Sequence, residues 1–183
     1  MKIFAETERL ILREILPIDA EPFFEMDSDP EVHKFLGTKP VSGIEEIINV
    51  IRFVQQQYIE NGIGRWAIIE KSSGQFMGWT GLKLMKKYFN NQINFHDLGY
   101  RLLQKHWGKG YATESANASL QYAFEQMKLK EVIGMVNVTN TKSNRVLEKC
   151  GMKHVESFSR EGVPHHWLKI TQDDWLQLRN TVN

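Results

Sequence analysis

The chain has 183 residues, one cysteine, and 23 basic side chains against 22 acidic ones. That length suits one domain with one core, residues 1–183, and the charge balance excludes a dedicated nucleic-acid binder, which carries a basic excess. The lone Cys150 excludes an intramolecular disulfide. No apolar run approaches the ~20 residues of a membrane span, and no signal-peptide pattern opens the chain, so a cytoplasmic protein without a membrane partner is expected.

The first element is a strand carrying Leu10, Leu12 and Ile15, ending near Pro17. Asp19 is placed to cap a short helix through Phe23 and Met26. Ser42-Gly43-Ile44-Glu45 reads as a capping box, and Ile44, Ile47, Ile48, Ile51, Val54 and Tyr58 follow at helical spacing until Asn61-Gly62. Residues 64–71 and 75–85 form a hairpin about Ser72-Ser73-Gly74, and residues 93–103 add a third strand. A glycine-containing loop leads into a helix with Ala112, Ala116, Leu120, Ala123, Phe124 and Met127. A β-branched strand, residues 131–138, follows, then a short helix, 143–149, ended by Gly151. Strands 154–159 and 165–170 close as an antiparallel pair, and Thr171-Gln172-Asp173-Asp174 caps a last helical turn. A helix crossing from strand 93–103 to strand 131–138 favours a parallel pair there. The fold class is α/β: a mixed sheet with helices on its faces.

The chemistry centres on the loop His106-Trp107-Gly108-Lys109-Gly110-Tyr111-Ala112. A turn between strand and helix aims backbone N–H groups at one point, and the first turn of the helix adds unpaired donors and a positive dipole end. Glycines let phosphate oxygens reach the backbone, and Lys109 adds a cation, so the loop suits a pyrophosphate. The P-loop pattern is absent, and Thr113 stands where a dinucleotide fingerprint needs its third glycine. The same glycines also read as a packing turn.

Trp107-Gly108-Lys109-Gly110-Tyr111-Ala112-Thr113-Glu114 resembles the coenzyme A pyrophosphate loop of the GCN5-related N-acetyltransferase (GNAT) superfamily. Three further segments are similar to the branch typified by ribosomal-protein-alanine N-acetyltransferases: Glu8-Arg9-Leu10-Ile11-Leu12-Arg13, Asp27-Ser28-Asp29-Pro30-Glu31-Val32, and the stretch from Asn140 through Cys150-Gly151-Met152. The resemblance implies the acyl-CoA N-acyltransferase fold, a mostly antiparallel sheet with one splayed parallel pair. It implies acetyl-CoA as co-substrate, with no metal. It implies a primary amine as acceptor, a small molecule or a protein N-terminus, and a chain that is a monomer or homodimer. It implies CoA contacts from Tyr100, Arg101, Leu102, Leu103, His106, Trp107, Gly108, Lys109, Gly110, Tyr111, Ala112, Asn140 and Ser143. Two places depart from the family: Lys105 stands for the usual Gln or Arg, and Leu147 for the tyrosine that serves many members as acid. Ser143 is then the candidate proton donor to the leaving thiolate, with a plain helix-start serine as the alternative. Asn140 reads equally as turn chemistry. Asp97 and His96 are the candidate bases, and as strand neighbours only one can face the substrate; the alternative is that both are surface residues at a strand start. Glu21, Glu25, Asp27, Asp29 and Glu31 either attract a cationic amine or form a solvated helix face. The missing tyrosine leaves a non-catalytic CoA-binding module open, and the glycine loop a dinucleotide oxidoreductase.

Overall fold

The computed structural model describes residues 1–182. Its strands are β1 (Ile3–Glu6), β2 (Leu10–Glu14), β3 (Arg65–Glu70), β4 (Phe76–Met85), β5 (Phe95–Leu102), β6 (Glu131–Asn137), β7 (Lys153–Arg160) and β8 (Val163–Thr171). Its helices are α1 (Ala20–Asp27), α2 (Pro30–His33), α3 (Ile44–Asn61), α4 (Tyr111–Glu125), α5 (Thr141–Lys149) and α6 (Gln172–Val182). The strands make one sheet in the order β1-β2-β3-β4-β5-β6-β8-β7. Every neighbouring pair is antiparallel except β5 and β6, which are parallel, as the crossover through α4 favours.

Side chains alternate across the sheet and divide the core in two. On one face, Ile15, Phe23, Met26, Ile47, Ile51, Val54, Ala67 and Phe76 seat α1 and α3. On the other, Leu10, Leu12, Trp66, Ile68, Leu82 and Leu98 meet Leu120, Phe124 and Leu147 from α4 and α5. Each fully buried large aliphatic chain contributes roughly 1.5–3 kcal/mol. A smaller aromatic cluster, Phe95, Ile133 and Trp167 with Phe89 and Phe158 against it, fills the sheet beyond β5.

Several local expectations shift. β1 lacks a sequence signal of its own and forms by pairing with β2. The capping carboxylate of α3 is Glu46, not Glu45: it accepts from the N–H groups of Ser42 and Gly43 and from the Ser42 hydroxyl. Asp19 does not cap α1; it takes the Leu16 N–H and a two-pronged contact from Arg13. The closing helix runs from Gln172 to Val182 rather than for a single turn. Gly62 ends α3 as expected, with φ 67° and its N–H on the Tyr58 carbonyl at 3.1 Å.

Candidate active site

β5 and β6 share one register pair, Asp97 opposite Ile133. β6 is fully paired on its other side, with β8 from Glu131 to Asn137. Past Asp97, β5 therefore has a strand partner only in β4. The Leu103 N–H turns to β4, onto the Met77 carbonyl at 3.0 Å. Successive backbone groups alternate sides, so Leu102 and Tyr100 turn toward the gap. The Leu102 carbonyl there accepts from the Trp107 indole at 2.8 Å. This is the splay that the family resemblance implied, seen as a place where a parallel pairing stops.

The gap has two faces. On the α4 side, the Tyr100 hydroxyl crosses to α5 and lies 2.9 Å from both the carbonyl and the hydroxyl of Ser143. Thr80, the cross-strand neighbour of Tyr100, meets Ser119 of α4 at 3.4 Å. Burial raises the Tyr100 pKa, so its phenol stays protonated. On the α1 side lie Asp97 and Arg101, and Arg101 reaches Asp27 of α1 at 2.7 Å.

The glycine loop follows β5 directly. A 3-10 turn over Gln104–His106 leads to Gly108 at φ 74° and Gly110 at φ 84°, and Tyr111 begins α4. Both glycines occupy the left-handed region, which side chains with a Cβ disfavour. No atom lies within 4 Å of a Cβ built on Gly108, so the backbone is open to an approaching group there. The loop is also clamped. Arg9 donates to the Glu114 carboxylate at 2.7 Å and to the Lys109 carbonyl at 3.0 Å, and lies over the Tyr111 ring at 4.3 Å. Glu114 further accepts from the Thr7 hydroxyl at 2.6 Å and the Arg9 N–H at 3.1 Å. Burial would raise the Glu114 pKa, but these hydrogen bonds outweigh it and hold the carboxylate ionised. Tyr111 donates to Glu70 at 2.6 Å. The latch escapes a sequence reading, which sees Arg9 and Glu114 only as parts of two separate motifs. His106 packs edge-on near Tyr111, and burial with Lys105 and Lys109 lowers its pKa.

Asp97 and His96 take opposite faces, as strand neighbours must: Asp97 stands across from Lys83, His96 across from Leu84. His96 is half-buried, and burial lowers its pKa. Asp97 is buried and paired with Arg65, which reaches both its carboxylate and, at 2.7 Å, its carbonyl, and also the Gly81 carbonyl. Arg65 crosses above Gly99; a Cβ there would stand 2.7 Å from the guanidinium, so only glycine admits the crossing. Burial pushes the Asp97 carboxyl above its usual range, against the pull of Arg65, Lys83 and Arg160 toward the ionised form. Trp79 lies between Arg65 and Arg101, at 5.3 and 5.1 Å. Sequence reading missed Arg65, which is separated from Asp97 by 32 positions; only the register between strands reveals it.

At the other side of the gap, the Asn140 side chain accepts the Ser143 N–H at 3.1 Å and caps α5. Leu147 is buried in the core, one helical turn past Ser143. Cys150 is a core residue, its thiol pushed up to about 12 by burial. Most of the acidic stretch is engaged locally: Asp27 with Arg101, Glu25 with Lys105, Asp29 with the Glu31 N–H, Glu31 with Lys34. Among the described residues, no three His, Cys, Asp or Glu side chains gather as a metal site, and no helix is long and apolar enough to cross a membrane. A groove of about 810 Å³ between β1, α4 and α6 includes none of residues 95–112 in its lining.

Residues 9–153 match the family model described as an acetyltransferase (GNAT) domain. The chain is 30% identical over 163 residues to the Bacillus subtilis N-acetyltransferase YoaA, covering 89% of this chain and 86% of that one. It is 31% identical over 166 residues to the FsC-acetyl coenzyme A-N(2)-transacetylase of Aspergillus fumigatus, covering 84% and 70%. Its structure is similar to that of a GNAT-family acetyltransferase from Bacillus anthracis, with a TM-score of 0.79 at 27% identity over 94% of this chain and 99% of that one. With most of its length accounted for in this way, the chain belongs to the GNAT acetyltransferase family and is an acetyl-CoA-dependent N-acetyltransferase.

Proposed function

We propose that this protein acetylates a primary amine, on a small molecule or a protein N-terminus, by direct transfer in the gap between β5 and β6. The observation that carries this reading is the end of β5–β6 pairing after Asp97, beside a helix-capping glycine loop. The gap-facing backbone of Tyr100 and Leu102, which has no strand partner beyond β4, can pair with an extended amide-bearing arm, and the loop at residues 106–112 can take a pyrophosphate. The Asn140 oxygen is used by Ser143, leaving its NH₂ group to donate to that arm. Acetyl-CoA, when bound, supplies an activated thioester.

The acceptor must arrive from the α1 side, since Tyr100, Ser143 and α4 close the other. Asp97 is on that side, and His96 is not. A primary ammonium has a pKa of roughly 8–10.4 and needs to lose a proton. Asp97, with its raised pKa, is the base we assign, taking that proton directly or through water. Ser143 is the assigned hydrogen-bond donor to the departing thiolate, which takes its proton from water. If Tyr100 donates to the Ser143 oxygen, the serine proton is free to point outward.

The test is an amine panel at saturating acetyl-CoA with detection of free CoA thiol. Amine-dependent thiol release with stoichiometric acetyl-amine is expected. Thiol release that no amine accelerates would overturn the proposal.

A further inference from the structure

We propose that the acceptor carries a carboxylate beside its amine, seated on the cations that ring the α1 side of the gap; this rests on the acetyl-transfer reading above. The argument is one of charge. Lys83 stands directly across the sheet from Asp97. Arg65, Arg160 and Lys87 repel the Lys83 ammonium, and Asp97 attracts it. Asp97 is already held by Arg65, as Asp27 is held by Arg101. Lys83 and Arg160 make no ion pair of their own among the described residues; their head groups lie over aromatic rings, Lys83 over Phe53 at 5.5 Å and Arg160 over Phe89 at 5.3 Å.

A polycationic amine entering here meets an excess of like charge. An amine with a carboxylate offers its anion to Lys83 and Arg160 while its nitrogen turns to Asp97. The acidic stretch of α1 and α2 is largely spent locally, with Asp27, Glu25 and Glu31 engaged by Arg101, Lys105 and Lys34.

The experiment compares matched acceptors at saturating acetyl-CoA: phenylalanine, its carboxamide, phenethylamine and spermidine. The carboxylate-bearing amine is expected to show a KM at least about tenfold below that of its carboxamide, a preference that shrinks with added salt. Lys83→Gln and the exposed Arg160→Gln, neither assigned to catalysis, should each raise that KM by about fivefold and leave the KM for acetyl-CoA unchanged. Equal or better use of the carboxamide, phenethylamine or spermidine would overturn the proposal, as would an unaltered preference in folded Arg160→Gln. If no amine is acetylated while CoA still binds, the acetyl-transfer reading falls and takes this inference with it.

Discussion

The two sides of the gap are built from different materials. The loop at residues 106–112 is made of backbone: two left-handed glycines, the start of α4, and a latch from Arg9 that holds the carbonyl of Lys109. The face toward α1 is made of side chains from β3, β4, β5 and α1, with Arg65 and Arg101 each tied to one aspartate and stacked about one tryptophan. A backbone site recognises a group common to every reaction of the family, because its donors do not change when side chains do. A side-chain site is free to vary, and that is why we assign acceptor choice to it. Substitutions on the two sides should therefore separate in their kinetic signatures.

The sharpest break is Gly110→Val. A branched residue at φ 84° is strained, and its side chain would press on Arg9 and the phosphate approach. Calorimetry should show acetyl-CoA affinity falling by about 100-fold or more, with circular dichroism close to the parent; unchanged affinity in a folded variant would remove the loop from the binding site. Ser143→Ala should act on the chemical step, lowering kcat by about 100-fold with little change in KM for acetyl-CoA. A kcat within about twofold of the parent would make Ser143 a structural residue of the α5 start.

Asp97→Asn tests the side-chain face through pH. In the parent, with Asp97 as the base, activity should rise with pH as its carboxyl, raised by burial, loses its proton. The asparagine variant lacks that limb and should recover only as pH approaches the pKa of the free amine, with a loss of about 30-fold near neutrality. His96→Gln should leave the profile in place, since His96 occupies the opposite face; the reverse pattern would transfer the role to His96. Gly99→Ala sharpens the same point, because its Cβ dislodges Arg65 and should shift the profile without touching Asp97 itself. The smallest effect is expected from Arg9→Gln. Loss of the latch should raise KM for acetyl-CoA about threefold and leave the KM for the amine alone, so an equal rise in both would mean the two sides are not separable.

Much of this was legible in the residues. Helix α3 declares itself by apolar spacing and a terminal glycine, both local properties. The loop is local too, since Gly108 and Gly110 lie within one turn of the helix they introduce. The parallel relation of β5 and β6 followed from one crossover helix. The capping residue of α3 was displaced by one position because Glu45 and Glu46 are both acidic, and only the helix phase selects between them. β1 was invisible because four residues, IFAE, acquire their conformation from the partner strand.

By itself, then, the order of residues determined the mixed sheet, the position of the glycine loop and the opposite orientation of His96 and Asp97, because helix and strand periods and left-handed glycines are short-range properties of the chain. Tertiary structure decided where β5 parts from β6, which residue locks Asp97, and what closes the gap behind Ser143. Those depend on strand register: a shift of one residue would take Arg65 off Gly99 and turn Tyr100 away from α5. Register is selected by the burial of whole sheet faces, a sum over many distant contacts that no local motif carries.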